Sequence, residues 1–114
     1  MRLRIPGIIA AVTLSGCAIA NRMSGMSLVD ELRTRGVPAE ARILEVWDTH
    51  MRVNDDPVVG FLLEVRPTDR EPFQAKTKGL ISIVFIPQFQ PGAIVPVRFD
   101  PDDPSRVALD VYER

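Results

Sequence analysis

From residue 28 onward the chain shows two hydrophobic periods in succession. Leu28, Val29 and Leu32 share one side of a helix, and from Val37 the spacing of apolar positions drops to two. Ser27 precedes the helical pattern, with Asp30 at the third helical position in the manner of a capping box. Arg33 and Arg35 occupy the last turn, and Gly36 with Pro38 stops it. The pattern predicts one helix over residues 28–35, about two turns, which needs a surface for its apolar stripe because alone it is too short to persist.

The period of two then predicts a series of short strands. Ala39, Ala41 and Ile43 alternate with Glu40 and Arg42, and the phase slips so that Leu44, Val46 and Asp48 share a face, as a bulge produces. Asn54-Asp55-Asp56-Pro57 is a turn by its chemistry. Val59, Phe61, Leu63 and Val65 form a second strand; after the 67–72 turn, Phe73, Ala75 and Thr77 oppose Gln74, Lys76 and Lys78 in a third that Gly79 breaks. Residues 80–86 are almost continuously apolar and fit either a strand buried on both faces or a helical turn. Val95, Val97 and Phe99 make a further strand in which Pro96 requires an edge or a bulge. Past the turn Asp100-Pro101-Asp102-Asp103-Pro104, Val107, Leu109 and Val111 make the last. Five or six strands at this spacing predict a mainly β domain, a small antiparallel barrel or sandwich of OB-like or SH3-like kind, with one short helix in front. A barrel removes edges that otherwise invite aggregation.

Upstream, Met1-Arg2-Leu3-Arg4 is a charged start, followed by an apolar run to Thr13 and then Leu14-Ser15-Gly16-Cys17. This is the layout of a secretory signal peptide, and the run falls short of the roughly 20 residues that span a bilayer. The small residues lead into a cysteine, and the segment resembles the lipobox of bacterial lipoproteins. The resemblance implies that Leu14, Ser15 and Gly16 are recognised by the signal peptidase, that residues 1–16 are removed, and that Cys17 carries a diacylglyceryl group, with a further acyl chain in many bacteria. More than one chain is what stable anchoring requires. The competing readings are an uncleaved anchor over residues 5–20 and a lone free thiol; exported structural cysteines usually come in pairs, and Cys17 is the sole cysteine.

Cleavage would leave 98 of the 114 residues, one small domain with no disulfide. Loss of Arg2 and Arg4 would leave twelve basic residues against fifteen acidic ones, a net charge of −3, without the basic face of a nucleic-acid binder. The expected organisation is a signal peptide over 1–16, a lipidated tether over 17–27 and the β domain over 28–114. Ten extended residues reach at most ~35 Å, so the tether holds the domain close to its membrane.

Gly36-x-Pro38-Ala39-x-Ala41, Asp48-Thr49, Val53-Asn54, Pro57, Pro72-Phe73, Pro91-Gly92 and Val97-Arg98-Phe99-Asp100-Pro101 together resemble a family of small β domains in membrane-anchored bacterial envelope proteins whose biochemical role is unassigned. The likeness covers about residues 32–110 and rests on turn residues, so it implies a fold and a location rather than an activity.

Reactive groups are sparse. His50 is the sole histidine, and neither Ser82 nor Ser105 lies in a nucleophile-elbow context, so a solvated turn histidine is the preferred reading over a catalytic one. Asp100, Asp102 and Asp103 are hard ligands in principle, but Pro101 and Pro104 replace the flexible positions of a calcium loop; they read as a surface turn, as do Asn54-Asp55-Asp56. No catalytic residue, metal or cofactor is expected. Residues 80–89 read first as core, and second as a patch in which Trp47, Phe85 and Phe89 touch a protein partner or the lipid headgroups. The expectation is a non-enzymatic interaction or scaffolding lipoprotein of the envelope, held by Cys17 and working with an envelope protein rather than a nucleic acid. A small-ligand or glycan-binding barrel is the alternative. Ala18 after the lipidated cysteine resembles the outer-membrane class; with a single membrane the site would be its extracytoplasmic face.

Overall fold

The computed structural model describes residues 23–112; the lipobox-like segment and Cys17 lie outside them. The elements are a helix α1 (Met26–Arg35), strands β1 (Val37–Val53), β2 (Asp56–Arg66) and β3 (Phe73–Leu80), a 3-10 helix (Ile83–Gln88), and strands β4 (Ile94–Asp100) and β5 (Asp103–Leu109). All ladders are antiparallel, in the order β3-β2-β1-β4-β5. Three consecutive strands followed by a fourth that returns beside the first make a Greek key. With β5 added, the β3 and β5 edges approach each other and nearly close a five-stranded barrel.

The alternation of β2 decides the inside. Val59, Phe61, Leu63 and Val65 are buried, facing Ala41 and Ile43 of β1, Ala75 of β3, Val95, Val97 and Phe99 of β4, and Val107 and Leu109 of β5. A single 17-residue strand serves both neighbours because β1 bends. Its register shifts between Ile43 and Glu45, the slip that the sequence predicts at Leu44, and again between Asp48 and Met51. Bulges of this kind add twist and let a flat sheet curl. At the first one, Ile43 donates its N–H to the Ala93 carbonyl (2.9 Å) and accepts from the Gly92 N–H (2.8 Å). Beyond that point β1 has parted from β4 and continues against β2, which stays paired with β3 as far as Val58, and the β1–β2 hairpin turns at Asn54 and Asp55 with φ of 51° and 72°.

Four expectations shift. The helix begins at Met26, not residue 28, and its N-cap is Gly25 at φ 90°, with no side-chain cap, so Ser27 lies inside the first turn. Gly79 does not end β3: it pairs with Val59, and the strand runs to Leu80. Val111 is outside β5 and exposed. Pro96 sits in a strand with neighbours on both sides, at the last rung beside β5. There its carbonyl accepts from the Asp110 N–H (2.9 Å), and the bond its ring nitrogen cannot donate is the one lost.

The helix lies on the outer face of the β4–β5 edge, burying Val29 and Leu32 against Ala108. Its C-terminal end is tied to the β4–β5 turn by charge. Arg35 grips the buried Asp100 carboxylate with two nitrogens (3.0 and 2.9 Å), and Arg106 bonds both Asp100 (2.9 Å) and Glu31 (2.9 and 2.6 Å). Asp100 also accepts the Asp102 N–H (2.9 Å). The Arg35 hydrogen bonds, above all, hold the Asp100 carboxyl well below the usual carboxylate range, and the Arg106 hydrogen bond lowers that of Glu31. Asp100 is therefore a clamp for the helix rather than an exposed turn carboxylate.

Candidate interaction surface

The apolar run after β3 has no partner strand left. Ile81 donates its N–H to the Pro57 carbonyl (3.1 Å) near the start of β2, and beyond it the ladder ends. Pro87 and Pro91 remove two further donors. The chain resolves this by coiling with three-residue hydrogen bonds, Phe85 N–H to Ser82 O (2.9 Å) and Phe89 N–H to Ile86 O (3.0 Å). At three residues per turn, Ile86 and Phe89 fall on the inner side, while residues between them face out.

The run is thus divided rather than wholly core. Ile81 and Phe89 are buried, and the Phe89 ring lies 6.1 Å from Phe61 at one end of the barrel. Ile83, Val84 and Phe85 are 59%, 72% and 51% exposed, three large apolar side chains in a row. Isolated exposed apolar residues are ordinary on a surface, but a contiguous group marks a contact.

Two depressions flank this turn. One, of roughly 440 Å³, lies between Trp47, Ile83, Ile86 and Phe89, with Asp48 and Arg52 on its rim. The other, of roughly 600 Å³, lies between Phe85, Met26, Ile81, Phe89 and Tyr112, with Asp56 on its rim. Trp47, Phe85 and Phe89 therefore do not make one patch. Phe89 is the shared floor, 9% exposed, and Trp47 and Phe85 are rims of separate depressions. Ile83 and Val84, which the sequence does not single out from the run, are the most exposed of its apolar residues.

Trp47 is held in place from beneath. Its indole lies so close over Gly60 that any side chain there would overlap the ring, and the Lys76 ammonium stands 5.9 Å from its centre. The indole is 38% exposed and presents its outer part to the first depression.

The candidate reactive groups are dispersed. His50 sits in the second β1 bulge at φ 64°, its side chain almost wholly exposed, with its N–H donated to Asp48 (2.7 Å). The Ser105 hydroxyl donates to Asp103 (2.7 Å), not to a histidine. Among the described residues no group of three His, Cys, Asp or Glu is placed to hold a metal ion, and no helix is long and apolar enough to cross a membrane. The clamp around Asp100 escapes sequence reasoning, because its members are up to 75 residues apart and each reads as an ordinary surface charge. No family model, curated protein or solved structure matches the chain.

Proposed function

We propose that this chain is a lipid-anchored protein of the bacterial cell envelope whose barrel is a non-enzymatic interaction module held at a membrane surface. The observation that carries the reading is the outward-facing Ile83, Val84 and Phe85, three consecutive apolar side chains exposed at one end of the barrel. The lipobox-like Leu14-Ser15-Gly16-Cys17 supports the anchor.

The test is the intact mass of the protein extracted from membranes beside a Cys17→Ala variant. The expected outcome is loss of residues 1–16 and a diacylglyceryl adduct on Cys17, both absent from the variant. A full-length, unmodified chain would overturn the anchor.

The half-exposed indole of Trp47, with Asp48 and Arg52 beside it, favours a second reading as a small-ligand or glycan site, since aromatic faces with a few convergent polar groups suit sugar rings. Trp47 is the sole tryptophan, so its fluorescence reports binding directly. An emission change that saturates with an oligosaccharide would favour this reading, and a flat response across glycan classes would retire it.

A further inference from the structure

The direction in which the chain leaves the barrel narrows what the apolar turn touches. β3 ends at Leu80 and β2 begins at Asp56 on one end of the barrel, the end where the 3-10 helix lies; the 67–72 turn and the Asp100 clamp belong to the opposite end. Helix α1 spans the two ends. Its last residue, Arg35, is in the clamp, and its first, Met26, lines the same depression as Phe85. The segment that leads back to Cys17 therefore joins the domain beside the exposed apolar turn.

From Cys17 to Met26 is nine residues, a span of at most ~32 Å when fully extended. A short leash from the turn's own end of the barrel makes that end the one that can rest on the bilayer. We infer that Ile83, Val84 and Phe85 form a membrane-interface wedge, which seats the barrel on the lipid surface beside the anchor and fixes which face it turns to solvent. The inference rests on the reading of Cys17 as the membrane-side end of the chain.

The charges around the turn suit that depth. Lys78, on the exposed face of β3, has its backbone against Gly25 at the start of the helix, and Lys76 stands beside Trp47; both can meet lipid phosphates. Asp48 and Asp56 on the rims cannot enter hydrocarbon at acceptable cost. Three apolar side chains with charged rims match insertion at the headgroup and acyl boundary, about 5–10 Å deep, rather than a span.

The experiment couples the full chain through Cys17, its sole cysteine, to phosphatidylcholine vesicles containing a minor fraction of maleimide-headgroup lipid. Anchoring is then imposed whether or not a cell lipidates the residue. In a Trp47→Phe background a tryptophan is placed at the turn, Val84→Trp, or at the far end, Thr68→Trp; both sites are exposed, and the melts of the two variants confirm the fold. With bromines on the lipid acyl chains, emission from position 84 should fall roughly twofold or more while position 68 is unaffected, because only the former reaches the acyl boundary.

Equal emission from position 84 in brominated and ordinary vesicles overturns the wedge, as does equal quenching at both positions. Emission at 84 that is already blue-shifted without vesicles and insensitive to bromine also overturns it, since a second copy then covers the turn. The two readings fail separately. A diacylglyceryl adduct on Cys17 with no quenching sinks only the wedge, and quenching with no adduct on the natural protein leaves the wedge and removes the natural anchor.

Discussion

Phe85 and Phe89 lie four residues apart in one apolar run and meet opposite environments because the backbone between them turns once every three residues. Phe89 packs on Phe61 within the barrel end, whereas Phe85 projects over the second depression. Replacing Phe89 with Ser removes a nearly buried ring and leaves a hydroxyl in its place, at a cost of about 3 kcal/mol or more. Replacing Phe85 with Ser should change stability by no more than about 0.5 kcal/mol. Chemical denaturation of the two variants separates these outcomes, and equal losses would mean that the run is core throughout. The sequence does not carry this distinction. From Leu80 to Ile86 only Ser82 interrupts the apolar residues, so neither two nor three residues per repeat can be read from the pattern.

Elements differ in how much of themselves they write into the sequence. β2 is legible because one face of it is barrel interior, which puts Val59, Phe61, Leu63 and Val65 at every second position; the bulge at Leu44 is legible because it shifts the alternation of β1 by one. The helix is legible in its stripe and its basic last turn, but not in its start, where Gly25 takes the place of a side-chain cap. Its attachment is not legible at all, since Arg35 and Asp100 are 65 residues apart. The attachment has a pH signature. Asp100 and Glu31 have carboxyl groups held below their ordinary values by arginine, so each favours the folded state fully above the unfolded carboxylate range, near 4, and loses that contribution as pH falls. Thermal melts should therefore decline from about pH 5 to about pH 2. Asp100→Asn should melt lower than the parent at neutral pH, and the gap should shrink as pH falls below the unfolded carboxylate range, because the unfolded parent then holds a proton at Asp100 that it must release to fold. A gap that stays constant across this range would show that the carboxylate's charge contributes nothing to holding the helix.

At the scale of the whole molecule the open question is how the barrel closes, since β3 and β5 approach without a ladder joining them. Side chains take over there. A Cβ at Gly79 would lie 2.8 Å from Leu109 Cδ1 and 3.0 Å from the Tyr112 hydroxyl, so the absence of a side chain at position 79 is what lets the β5 end of the chain settle on β3. Tyr112 reports the closure, because burial pushes its phenol up to about 12, with the Leu80 backbone offsetting part of the effect. The folded state thus prefers the neutral phenol. The preference is fully present below the unfolded value near 10 and is lost as pH rises from about 10 towards about 12, so stability should fall over that interval. Tyr112 is the sole tyrosine, and tyrosinate absorbance follows it without ambiguity. Gly79→Ala should force Leu109 and Tyr112 outward, lower stability by about 1–3 kcal/mol, and bring the phenol back towards ~10 as water reaches it. A loss of stability with the titration unmoved would place the strain within β3 alone. The two moving together would show that the seam between β3 and β5 is closed by packing over one bare backbone position, which is how five strands with two unpaired edges enclose a single core.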